Sequence, residues 1–271
     1  MSVFYDTHAH LDYPDFAADL PQVVQRANDA GIEKIVCIGT DLESSRNAIL
    51  LAERFPGVYA AVGWHPTHAM EAPEDIRPAL RELARHPKVV AIGETGLDFY
   101  RMPGQQPGGT AEDDARYRAR QESLFEQQLE VAAEADLNCV IHQRNSFDET
   151  LRQIKPYAGK LKAVFHCFPG DVAVLKRVLD LGFLVSFTGI LTFKNAQVVR
   201  DSLAATPMDR FMLETDSPFL APVPHRGKRC EPAYVRDIAA IAAEVKNCSL
   251  NELSQSTCET AHRFFKQFER L

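Results

Sequence analysis

Three things are scarce in this chain, and each absence removes a class of protein. Six cysteines (Cys37, Cys139, Cys167, Cys230, Cys248 and Cys258) are scattered over 271 residues without one Cys-x-x-Cys pair. That spacing argues against a zinc finger and against a disulfide scaffold. Cys37 and Cys139 sit inside apolar runs and read as small buried hydrophobes. No apolar stretch is long enough to span a bilayer. The N-terminus has no basic region leading into an apolar segment, because Asp6 and His8 arrive at once. A cytoplasmic protein is expected. Positive charge is also short: the net charge of −7 does not suggest a broad basic face that coats duplex DNA. A metal enzyme that grips a few phosphates locally is still compatible with it.

What the chain does have is alternation. Short apolar runs (Val3–Tyr5, Ile35–Ile38, Val58–Val62, Val89–Ile92, Cys139–Ile141, Ala163–Phe165, Phe183–Val185 and Phe211–Leu213) are separated by amphipathic helical stretches. Leu20, Val23, Val24 and Ala27 make a helical stripe stopped by Gly31. Asp171 caps a helix ending at Gly182, and Ser249 with Glu252 forms a capping box that opens the last helix. Strands alternating with helices imply a parallel sheet, and nearly continuous apolar strands imply burial on both faces. Eight such units predict an α/β fold, a TIM-type (β/α)8 barrel in one domain over residues 1–271. The alternative, an open doubly wound sheet, lacks a Gly-x-Gly-x-x-Gly after any early strand. The Pro/Gly-rich stretch 103–110 reads as an excursion above the barrel or as an inert insertion.

A barrel of this type builds its active site at the C-terminal strand ends. Those ends carry His8 and His10, then His65, Glu94, His142, His166 and Asp216. Along a strand, residues two apart share a face, so His8 and His10 are placed to share one cation. Four imidazoles (His8, His10, His142, His166) and two carboxylates (Glu94, Asp216) exceed the needs of one tetrahedral ion. They suit two ions roughly 3.5–4 Å apart. Glu94 is placed to bridge, with His8, His10 and Asp216 on one ion and His142 and His166 on the other. A metal-bound hydroxide is the expected nucleophile, and Asp216 is a candidate acceptor of its proton.

Four stretches carry a family resemblance: Asp6-Thr7-His8-Ala9-His10-Leu11-Asp12, Gly93-Glu94-Thr95-Gly96-Leu97-Asp98, Phe165-His166-Cys167-Phe168, and Glu214-Thr215-Asp216-Ser217-Pro218-Phe219-Leu220-Ala221-Pro222. In this order they resemble the TatD-type metal-dependent deoxyribonucleases, from about residue 3 to the last helix. The resemblance implies the barrel, a divalent-metal hydrolase with the ligands just named, and DNase activity of 3′→5′ exonuclease character. Two departures stand out. The family usually reads Gly-Lys-Arg-Asn-Glu-Pro where this chain has Gly227-Lys228-Arg229-Cys230-Glu231-Pro232, and the loop after Tyr100 looks longer than usual.

Arg101, Arg144, Lys194, Arg226, Lys228 and Arg229 follow strand ends or ligands in sequence. Guanidinium groups grip phosphate bidentately, so Arg144, Arg226 and Lys228, with His65, are the candidate substrate contacts. Solvated loop cations are the plainer reading. Phe99 and Tyr100 are placed to stack on a terminal base or to pack in the core. Glu214, two residues before Asp216, reads as a group behind the ligands, and His68 as structural. The expected activity is thus a deoxyribonuclease on single-stranded ends, with two divalent ions (zinc, magnesium or manganese) and no obligate protein partner. The alternative is hydrolysis of a small amide, lactone or phosphate ester by the same core.

Overall fold

The computed structural model describes residues 2–268. Eight strands form one parallel sheet in sequential order: β1 (Phe4–Ala9), β2 (Ile32–Ile38), β3 (Val58–Val62), β4 (Val89–Asp98), β5 (Asn138–Arg144), β6 (Ala163–Phe165), β7 (Leu184–Phe187) and β8 (Phe211–Leu213). The sheet nearly closes on itself. The Asp216 amide donates to the His8 carbonyl at 2.9 Å and the His10 amide to the Ser217 carbonyl at 2.8 Å, beside a parallel bridge from Ala9 to Ser217. Around it lie α1 (Leu20–Asp29), α2 (Leu42–Arg54), α3 (Arg77–Leu83), α4 (Ala111–Glu134), α5 (Phe147–Ile154), α6 (Val172–Asp180), α7 (Gln197–Ala205), α8 (Val235–Lys246) and α9 (Leu250–Phe264). This is a (β/α)8 barrel. None of the described helices is long and apolar enough to cross a membrane.

Alternation along the strands divides the core in two. Val36, Ile38, Tyr59, Ala61, Val90, Val140, Val164, Leu184 and Met212 pack together inside the barrel with Phe264, Phe265 and Phe268, at and just beyond the end of α9. The opposite strand faces, among them Phe4, Ile35, Cys37, Ile92 and Phe165, pack with the surrounding helices. The capping signals are used as read. Asp171 accepts from the Val174 amide, and the Ser249–Glu252 box opens α9.

Two strands run further than their apolar runs. β1 continues through Asp6, Thr7 and His8, and β4 through Glu94 to Asp98. Polar side chains can end a strand in sequence but not here, because Asp6, Thr7, His8 and Glu94 find buried partners. Asp6 accepts from the Thr215 amide at 2.9 Å and the Thr215 hydroxyl at 2.6 Å, tying β1 to the segment after β8. Gly96 (φ +132°) lies so close to β5 that a Cβ would collide with the His142 carbonyl. The stretch 103–110 is a built turn, not a bare excursion. Pro103–Gln105 is a short 3-10 turn, the Gly104 amide donates to Asp114, and Thr110 with Asp113 forms the capping box of α4.

Candidate metal centre

The strand ends bring His8, His10, Glu94, His142, His166 and Asp216 into one cluster, and His65 joins them. His8 is wholly buried, with Glu94 and His10 nearly so. The Nε2 atoms of His8 and His10 lie 3.3 Å apart. Glu94 Oε2 is 3.3 Å from His8 Nε2 and 3.7 Å from His10 Nε2. Asp216 Oδ1 is 3.6 and 3.4 Å from the same two nitrogens. The other Glu94 oxygen, Oε1, faces a second set: His142 Nδ1 at 2.9 Å and His166 Nε2 at 2.8 Å, themselves 3.3 Å apart. A tetrahedral ion with ligands at about 2.0–2.1 Å spaces its donors about 3.3 Å apart. The first set lies at 3.3–3.7 Å and the second, tighter, at 2.8–3.3 Å. The two oxygens of Glu94 face different sets, and His8, Glu94 and His166 also form a compact group across them.

His65 differs from the rest. Its Nε2 lies 3.4 Å from Glu94 Oε1, and a grouping of His65, Glu94 and His142 is also compact enough for an ion. Yet its Nδ1 accepts from the Thr67 amide at 3.2 Å. Burial lowers His65 to about 4, so the ring is neutral at pH 7. Its single proton then sits on Nε2, aimed at the cluster. That tautomer donates a hydrogen bond and offers no lone pair there.

The charges balance around Glu94. Burial alone would raise its carboxyl, but His166, His65 and His8, with the hydrogen bond from His142, hold it well below the ordinary value. Burial would lower His166, but Glu94 and Glu214 push it well above the ordinary imidazole value. Asp216 is held low by His10, His8 and His166 against its burial. Where carboxylates hold protons on imidazoles this firmly, a divalent cation replacing those protons is held for the same reason. The donor set fits a metal.

A further ring of groups holds the histidines. Asp98 Oδ2 lies 3.0 Å from His142 Nε2, while its other oxygen accepts from the Tyr100 amide at 2.9 Å. Glu214 Oε1 lies 3.4 Å from His166 Nδ1 and accepts from the Cys167 amide at 2.7 Å. Such partners fix ring orientation and raise ligand basicity. Asp98→Asn is therefore expected to lower metal affinity or turnover by about 10–100-fold, with an unchanged melting curve for the metal-free protein. Competition with a chromogenic chelator reads the affinity directly, and wild-type affinity together with wild-type turnover would remove Asp98 from this role.

Two glutamines on the buried face of α4 clamp the strand ends, a feature the sequence reading did not single out. Gln128 accepts from the Trp64 amide at 2.7 Å and donates to its carbonyl at 3.0 Å, next to His65. Gln121 does the same to the backbone of Asp98, at 2.8 and 2.9 Å. Buried glutamine on a helix is the available signal, since a buried amide must find partners.

The cluster floors a cleft of about 290 Å³ bordered by Tyr13, Thr40, Thr67, His68, Arg144 and Phe219. Of the candidate substrate cations, Arg144 borders it, and its guanidinium stacks on Tyr100 at 3.6 Å from the ring centroid. Arg226 and Lys228 do not border it. Arg226 lies on the Phe193 ring and donates to the Ala221 carbonyl, and Lys228 is exposed on the same loop. Arg229 is tied to Asp19 and Glu231. Cys230, in the place of the usual asparagine, is fully buried, and burial pushes its thiol up. Phe99 is core, covered by Arg118.

The profile of the family described as TatD related DNase matches residues 5–266. An uncharacterized metal-dependent hydrolase of Bacillus subtilis, YabD, is 36% identical over 265 residues, covering 97% of this chain and 99% of its own. The protein of Pantoea vagans named 3′-5′ ssDNA/RNA exonuclease TatD is 34% identical over 269 residues, covering 97% and 99%. Among solved structures, the TatD homologue YjjV of Escherichia coli superimposes with a TM-score of 0.88 at 29% identity, covering 97% of this chain and 98% of that one. A match over nearly the whole length, on the barrel whose strand ends carry these donors, leaves one assignment: the chain belongs to the TatD family and is a metal-dependent hydrolase.

Proposed function

We propose that this hydrolase is a deoxyribonuclease, a phosphodiesterase that removes nucleotides 3′→5′ from single-stranded DNA ends at a dinuclear centre. The observation that carries the reading is Glu94, whose two oxygens face separate donor sets. His8, His10 and Asp216, His142 and His166, and Glu94 would hold two divalent ions (zinc, magnesium or manganese), which when bound would supply Lewis acidity and lower the pKa of a water. Asp216 stays ionised and slightly open to solvent, with a carboxylate 16% exposed, and takes the proton of the attacking water. His65 presents its Nε2–H, and Arg144 its guanidinium, to the phosphate oxygens as charge builds on them. The name borne by the Pantoea relative supports a nucleic-acid substrate. Six free thiols suit the reducing cytoplasm.

A second reading, a small phosphate ester or amide, is favoured by the poverty of cations: Arg144 is the one Lys or Arg bordering the cleft among the described residues. The two readings part in salt. Metal-loaded protein should shorten a 5′-labelled single-stranded oligonucleotide into a ladder from its 3′ end. Its apparent affinity should fall with salt by about 0.7 log unit per log unit for each phosphate gripped. No ladder, together with turnover of simple esters that ignores salt, would end the nuclease reading.

A further inference from the structure

Resting on the nuclease reading, we infer that Phe219 is the platform on which the substrate's nucleobase stacks, so that the enzyme selects an end whose base is already free of a duplex. Phe219 is 50% exposed, an unusual position for a large apolar ring beside a metal centre. It stands on the turn that follows β8, where its amide donates to the Asp216 carbonyl at 2.9 Å. The ring that borders the cleft is thus fixed three residues from a candidate ligand. Its contacts steady it from the side: His10 at 6.3 Å and 66°, and Tyr13 at 6.1 Å and 80°. Tyr13 itself stacks on His10 at 4.8 Å and 25°. These tilted contacts hold Phe219 without a parallel partner.

The other candidate platforms are taken. Tyr100 carries the Arg144 guanidinium at 3.6 Å, and Phe193 carries Arg226 at 3.9 Å. Among the described residues no ring or guanidinium stacks on Phe219. Tyr100 is thereby reassigned. It holds the Arg144 guanidinium in place, and the base goes to Phe219.

The cleft continues past the metal donors into a second space of about 320 Å³, bordered by Cys167, Pro169, Ile190 and Leu220 as well as by His142, His166, Asp216 and Arg144. Three of the donors (His142, His166 and Asp216) and Arg144 border both spaces. A phosphodiester placed at the donors therefore has room for a nucleoside on each side, one against Phe219 and the other against the aliphatic wall. Stacking ignores base identity because every base has a π-face. It does require that the base leave its neighbours, and a paired end must fray before it can.

The test uses two single-stranded oligonucleotides that differ only in the nucleotide at the cleaved end, one normal and one carrying a tetrahydrofuran abasic residue. Stacking of a base on an aromatic side chain is expected to give the normal end an advantage of about tenfold in kcat/KM. Phe219→Ala and Phe219→Leu should bring that ratio towards one, and Phe219→Trp should keep or widen it. Fluorescence anisotropy of the same pair, labelled at the far end, should show the same ordering in affinity. Leucine matters because it keeps an apolar side chain and removes only the π-face. A wild-type enzyme that treats both ends alike would overturn the inference. So would an Ala variant that slows both ends equally and leaves their ratio intact, which is the signature of a packing role. If wild-type protein cleaves neither oligonucleotide, the nuclease reading itself has failed, and that result is distinct from cleavage without discrimination.

Discussion

Glu94→Ala is expected to lower kcat by about 10³-fold, since a metal centre supplies several kcal/mol of charge stabilisation and each 1.36 kcal/mol is tenfold in rate. On the proposed dinuclear reading it should also reduce bound metal from two equivalents to near none. The argument is geometric. His8, His10 and Asp216 form one set and His142 with His166 the other, and among the described residues only Glu94 places an oxygen within 3.3 Å of both, on His8 and on His166. Removing one ligand of one set, as in His10→Ala or His142→Ala, should cost a single equivalent. Removing Glu94 is expected to cost both, because it takes a ligand from each set and also the one negative charge that lies between them. Elemental analysis of gel-filtered protein gives the stoichiometry, and circular dichroism checks the fold. Two equivalents retained in Glu94→Ala would end the bridging assignment. Glu94→Gln keeps the shape but loses the negative charge, and its amide nitrogen offers no lone pair to an ion, so turnover should fall as steeply.

The barrel was legible in the sequence because burial on both strand faces leaves an apolar run that little else produces. The limits of β1 and β4 were not. Asp6, Thr7, His8 and Glu94 look like loop residues, and they are buried because distant segments supply partners: the stretch 213–216 for Asp6, Thr7 and His8, and His142 and His166 for Glu94. Asp6 meets Thr215 across 209 positions. The six candidate metal donors were readable for the opposite reason. Strand ends are fixed by the fold, so a histidine or carboxylate falling at several of them has one place to converge.

The cations were the least legible part. Arg144 and Arg229 look alike in sequence, each following a strand end or its loop. Arg144 borders the cleft, while Arg229 is held by Asp19, 210 positions away. An ion pair of that separation has no local signal. The same holds for Gln121 and Gln128, whose roles depend on which backbone α4 meets. His65 lies between these cases. Its place at a strand end was readable, but the direction of its proton rests on the Thr67 amide two residues on.

Stripping the metal is expected to abolish hydrolysis and to lower the melting temperature by about 5–10 °C per site, from about 2.7 kcal/mol of linkage at a metal concentration 100-fold above Kd and about 2–4 °C per kcal/mol for a chain of this size. Five imidazoles, Glu94 and Asp216 then face one another with only protons to compensate them, and Asp98 and Glu214 add two more carboxylates behind. The pairing is uneven. His10, His142 and His166 hold protons more firmly than a free imidazole, drawn by Asp216, by Asp98 and Glu94, and by Glu94 and Glu214 against their burial. His8 and His65 are pushed the other way by burial. Protons therefore cannot fill every gap that a divalent ion fills, and the metal-free top of the barrel should be the first part to loosen. Differential scanning calorimetry before and after dialysis against a chelator, followed by stepwise return of zinc, manganese or magnesium, measures this. Return of one equivalent should recover about half of the temperature shift. Hydrolysis should wait for the second, because the proposed mechanism needs an ion in each of the two sets that Glu94 faces. Full activity at one equivalent would show that a single ion suffices and that the second set of donors only shapes the cleft.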